Sequence, residues 1–120
     1  MKKEFVSFNI AKQLKDLGFQ VPCMAAFGKT EDGIGFEIWN DENCEKWTKI
    51  CSAPSYRQVF KWFRDKHKLS HEIQHTYKGY YPLIYKDNVI TAHWIGEVSK
   101  YEKAEISCIK QLIKILKEKS

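Results

Sequence analysis

An α+β fold is what the sequence predicts: one antiparallel sheet, made of a hairpin and a three-stranded meander, packed against three helices in the order α-β-β-α-β-β-β-α. Two observations carry that expectation. Three stretches place apolar residues at helical spacing behind a serine that can cap them, and the runs between them alternate apolar and polar residues between turn formers. Residues 1–120 are the size of one domain, and 43% hydrophobic residues suffice for a core that offsets the ordering entropy of the chain. The expectation is a single domain.

The first helix opens at Ser7, an N-cap residue, and puts Ile10, Ala11, Leu14 and Leu17 on one face. Gly18 supplies the left-handed conformation that ends it, Phe19 folds back on its last turn, and Pro22 prevents continuation. Met24 to Phe27 and Ile34 to Trp39 form a hairpin around the turn-forming run Lys29-Thr30-Glu31-Asp32-Gly33, with Ile34, Phe36 and Ile38 on the buried face. Asn40 to Lys49 is polar and reads as a loop or a short irregular helix anchored by Trp47.

The second helix has the clearest start. Ser55 follows Ala53-Pro54 and Gln58 stands three residues on, which completes a capping box. Tyr56, Val59, Phe60 and Phe63 form its inner stripe. After His67 the period changes to two, so residues 71–77 read as a strand. Gly79 breaks the run, Tyr80 to Tyr85 is a further strand whose Pro82 marks an edge or a bulge, and Asp87-Asn88 turns into Val89 to Trp94. The last helix begins at Ser99, with Glu102 as a second capping box, and buries Ala104, Cys108, Ile109, Leu112, Ile113 and Leu116.

The stretch from Cys51 to His67 contains Ala53-Pro54-Ser55-Tyr56 followed by a helix that holds Trp62-Phe63-Arg64. It resembles a family of small uncharacterised proteins found in phages, prophages and mobile elements of Bacteroides-type bacteria. Glu4 to Phe8, Gly18-Phe19, Gly79-Tyr80-Tyr81 and Tyr101-Glu102-Lys103-Ala104 are similar to the same family, so the resemblance covers most of the chain. It implies a phage-related accessory role and no catalytic residue, cofactor or ligand set.

Charge is unevenly spread. Residues 21–50 hold three lysines against six acids, whereas residues 51–80 hold six Lys and Arg against Asp65 and Glu72. Arg57, Lys61, Arg64 and Lys68 recur at helical spacing, as do Lys103, Lys110, Lys114 and Lys117 on the last helix. Either stripe suits a phosphate backbone, with Tyr80, Tyr81 or Trp94 stacking on bases; a solvated outer face is the ordinary reading.

His71-Glu72-Ile73-Gln74-His75 matches HExxH, and His67 adds a third histidine at the same spacing. That motif binds zinc when a helix sets both histidines on one turn, but the alternation here predicts a strand, which makes the match a coincidence. Cys23, Cys44, Cys51 and Cys108 lack a CxxC pair and read as reduced thiols. Cys44 and Cys51, on either side of Trp47, are at most half a zinc site, and Cys51 is a weak candidate nucleophile. Gly33-Ile34-Gly35 is turn chemistry rather than a dinucleotide loop. Met1 to Phe5 opens no signal-peptide run and no apolar stretch is long enough to span a bilayer, so a soluble cytoplasmic protein is expected.

These readings converge on a non-enzymatic accessory or interaction protein with a protein partner, no cofactor and no metal. The alternative is a nucleic-acid-binding module that uses Arg57, Lys61, Arg64 and Lys68.

Overall fold

The computed structural model describes residues 4–21, 23–30, 33–38, 48–86, 89–93 and 98–118. The elements run α1 (Phe8–Asp16), β1 (Ala25–Thr30), β2 (Gly33–Ile38), β3 (Thr48–Ala53), α2 (Tyr56–His67), β4 (Leu69–Thr76), β5 (Gly79–Lys86), β6 (Val89–His93) and α3 (Tyr101–Glu118). This is the α+β class, with the predicted elements in the predicted order and one strand more. The strands form two three-stranded antiparallel sheets, β2-β1-β3 and β4-β5-β6. Met1–Gln58 and Val59–Ser120 are two compact units.

In the first unit, the Ser7 side chain accepts from the Ile10 N–H and caps α1. The chain leaves the helix through Gly18 at φ 96°, and the Phe19 N–H donates to the Leu14 carbonyl. Both features follow from the sequence. Ile10, Ala11 and Leu14 are buried, and α1 packs on β3. Phe27 pairs with Phe36 across β1 and β2, and the rings of Phe5 and Phe8 add to theirs at centroid distances of 5.3 and 5.5 Å. The hairpin closes more tightly than predicted, since Thr30 already pairs with Gly33. Ile34 is exposed rather than buried, because it lies beyond this ring cluster near the hairpin end.

The added strand is β3, whose Thr48 and Lys49 were expected in a loop or short helix; the rest of that stretch, Trp47 included, lies outside the described residues. It pairs with β1, and Ile50 is the extra residue where the register passes from Phe27↔Cys51 to Gly28↔Lys49. The Lys15 ammonium donates to the Ile50 carbonyl at 2.7 Å, so a cation from α1 occupies an acceptor of this edge strand.

The predicted capping box at α2 forms in both directions. The Gln58 N–H donates to Ser55 Oγ at 3.2 Å and the Ser55 N–H donates to Gln58 Oε1 at 3.0 Å. At the far end His67 closes the helix and Lys68 takes the left-handed conformation, φ 58°.

The second unit is built on β5. His71, Ile73 and His75 pair with Ile84, Pro82 and Tyr80, so these six share one face; Glu72 and Gln74 share the other with Leu83 and Tyr81. Pro82 sits in the central strand, not at an edge, opposite Ile73; the pairing is irregular, as the bulge alternative expects, but at Ile84–Tyr85, where β5 meets β6. Ala104, Cys108, Ile109, Leu112 and Ile113 of α3 are buried and α3 packs on β5 and β4. Ile115 is buried and Leu116 is half-buried, both within about one helical turn of Leu112. The Ala104 N–H donates to the Lys100 carbonyl, so Lys100 caps α3, one residue after the expected Ser99. Among the described residues, no helix is long and apolar enough to cross a membrane.

Candidate functional site

The three cations Arg57, Lys61 and Arg64 stand on α2 at intervals of four and three residues, and all are exposed. Arg64 lies 3.8 Å from Asp65, its neighbour in the chain. Lys68 is exposed too but departs from the predicted stripe: the helix has ended and its backbone is left-handed, so helical spacing no longer governs its direction. On α3, Lys103, Lys110, Lys114 and Lys117 are exposed, opposite the buried apolar stripe.

Dividing the charge by unit sharpens the picture. Residues 1–58 carry eight Lys and Arg against eight Asp and Glu, while residues 59–120 carry twelve against seven. The whole net charge of +5 therefore belongs to the second unit. A local excess of this kind raises the concentration of polyanions at the surface.

The three histidines do not converge. His67 ends α2 with its ring edge-on to Trp62 at 4.7 Å. His71 lies flat on Phe60, 3.6 Å between centroids and 10° between planes. Burial, and then the Arg64 guanidinium, push its pKa down from 6.5 to about 4. His75 stacks on Tyr80 at 5.0 Å. On a strand, residues four apart are separated by about 13 Å, whereas the zinc motif needs them one helical turn apart. Among the described residues no three His, Cys, Asp or Glu side chains gather to hold a metal ion.

Cys44 lies outside the described residues, and Cys51 is buried in β3. Cys108 is fully buried, and burial together with Glu105 pushes its thiol up to about 12, so at neutral pH it is an apolar filler rather than a nucleophile. Two open clefts mark the first unit. One, of about 670 Å³, lies between α1 and β3 beside Lys15, Phe19, Cys23 and Ser52. The other, of about 470 Å³, is walled by Phe5, Phe8, Phe27 and Phe36. Neither brings several charged groups to one point among the described residues.

Tyr80 and Tyr81, expected to be exposed, are half-buried on opposite faces of β5, and Trp94 lies outside the described residues. Among the described residues, the exposed tyrosine rings are elsewhere. Tyr77, in the β4–β5 turn, is 93% exposed, and Tyr101, at the start of α3, is 43% exposed. The alternation through residues 71–77 puts Tyr77 at the end of a strand, but no short-range signal brings Tyr101 beside Tyr80.

Compared with known protein families, with curated proteins and with solved structures, the chain matches none.

Proposed function

We propose that this chain is a non-enzymatic accessory protein that acts by binding, and that nucleic acid is what it binds. The observation that supports this reading best is the exposed row Arg57, Lys61 and Arg64, on a helix that leads into the unit carrying all of the net charge. Phosphate contacts need little else from a protein: exposed cations on a rigid element. The resemblance of the Ala53-Pro54-Ser55-Tyr56 and Trp62-Phe63-Arg64 segment to proteins of phages and mobile elements suits such a role in a bacterial host cell. The test is fluorescence anisotropy with labelled DNA and RNA at low and moderate salt. Arg57, Lys61 and Arg64 changed together to Glu should abolish binding while the circular dichroism spectrum stays unchanged. Unaltered affinity would remove the basis of the reading.

One observation favours the second reading, a protein partner. Val89 and Ile90, on the outer strand β6, are 66% and 51% exposed, and β6 contains no Lys, Arg, Asp or Glu. An edge strand with exposed apolar side chains and no Lys, Arg, Asp or Glu is a template for strand addition. Ile90→Lys should then abolish binding of a partner that the triple Glu variant still recognises.

A further inference from the structure

The β4–β5 turn is held in one shape. Thr76 Oγ1 donates to the Gly79 carbonyl and accepts from the Lys78 N–H. Gly79, at φ 145°, lets the backbone of Val98 approach so closely that a Cβ would stand 2.5 Å from the Val98 oxygen. Tyr80 and Val98 then exchange backbone hydrogen bonds of 2.8 and 2.7 Å. This bridge draws the first turn of α3 against the sheet. Its result is a row of rings contributed by three elements: His75 stacked on Tyr80, and Tyr80 edge-on to Tyr101 at 5.4 Å.

His75 and Tyr101 are exposed on either side of the half-buried Tyr80. Two residues along from His75, the Tyr77 ring stands free with the Lys78 ammonium 5.5 Å from its centroid. Lys100 and Lys103 flank Tyr101 and are exposed as well. Among the described residues, the acids of that helical turn are Glu102 and the half-buried Glu105, beside Lys100 and Lys103, with Lys78 on the β4–β5 turn. Large rings left in water on a fixed backbone, with cations beside them, match what unpaired bases require: π-faces for the bases and positive charge for the linking phosphates. A duplex keeps its bases stacked on each other and offers no face to such rings.

We propose that His75, Tyr77 and Tyr101 form a stacking platform for single-stranded nucleic acid, with Lys78, Lys100 and Lys103 holding its backbone. The proposal rests on the nucleic-acid reading above and deepens it by naming the form of nucleic acid. It makes the α2 cations a general polyanion contact and the rings the part that selects unpaired strands.

Anisotropy of labelled oligo-dT and of a duplex of equal length, both at low salt, separates the two ideas. The wild type should bind the single strand at least several-fold tighter. Tyr77→Ala with Tyr101→Ala should weaken single-strand binding by roughly 10- to 100-fold, as loss of stacked bases does, and leave duplex binding unchanged. Lys61→Glu with Arg64→Glu should weaken both. If the double-Ala variant keeps its single-strand affinity, or loses duplex binding equally, the platform is overturned and the binding reading stands. If the wild type binds neither probe, the binding reading fails and the platform with it. Tyr77 is almost wholly exposed, so Tyr77→Ala alone should keep the wild-type unfolding midpoint; Tyr101→Ala also loses the edge contact with Tyr80, so an unfolding curve must show the double variant folded at the assay temperature.

Discussion

Acidification should destabilise the second unit through His71. The ring lies flat against Phe60 with Arg64 nearby, and its pKa in the folded protein is about 4 against an ordinary 6.5. Between those two values the unfolded chain binds a proton that the folded chain refuses, so stability falls as pH drops. The loss begins near pH 6.5 and is complete below pH 4. A shift of this size is worth about 3 kcal/mol in full. The ring retains solvent contact, and screening reduces the figure to roughly 1–2 kcal/mol, of which about 1 kcal/mol is reached by pH 5. Urea unfolding of the wild type and of His71→Phe at pH 7.5 and pH 5 isolates the contribution, since the other titrating groups act in both proteins. The wild type should lose about 1 kcal/mol more than the variant. Arg64→Gln should shrink that difference, because the guanidinium supplies the second part of the shift. Equal losses in wild type and His71→Phe, or an imidazole that titrates near 6.5 by NMR, would refute the burial argument.

Three further substitutions test local structure. Lys68→Gly should stabilise the protein by about 0.5–1 kcal/mol, seen as a higher thermal midpoint, because a left-handed residue at a helix end is strained unless it is glycine; it should also remove one phosphate contact if Lys68 makes one. Gly79→Ala should cost on the order of 2–4 kcal/mol or prevent folding, since both φ and the Val98 oxygen oppose a Cβ; in hydrogen exchange the Tyr80 and Val98 amides should lose protection. Ser55→Ala should cost about 1 kcal/mol in urea unfolding by removing the cap of α2, and Ser55→Asp should restore most of it.

Where the sequence was legible, local chemistry was strong. The Ser55 and Gln58 pair, the Gly18 stop and the alternation through β4 each act over a few residues, and each element stands where those residues put it. β3 escaped because Thr48 to Ala53 has no apolar alternation strong enough to announce a strand: its buried positions are filled by Cys51 and Ala53, and the register is interrupted at Ile50. Its partner β1 is some twenty residues away, and periodicity assigns a face to a strand but not a neighbour. The same limit explains why one sheet was expected where two are present.

The cations of α2 were legible because helical spacing is a one-dimensional signal, and it misplaced only Lys68, beyond the helix end. The aromatic row was not. It depends on Gly79 admitting the Val98 backbone, a contact across nineteen positions that no short motif encodes. Charge alone would serve any polyanion equally, duplex or single strand, and a solvated helix face would present much the same lysines. Rings left in water are harder to attribute to solubility, because Tyr77 forgoes nearly all, and Tyr101 part, of the burial that aromatic side chains ordinarily gain. Tyr77 is nearly free of protein contact beside a turn held by Thr76 and Gly79, so its exposure comes with an ordered backbone rather than a loose one. The distinction between polyanion attraction and base recognition therefore rests on these two tyrosines, and the comparison of single strand with duplex is where their effect separates from that of the lysines.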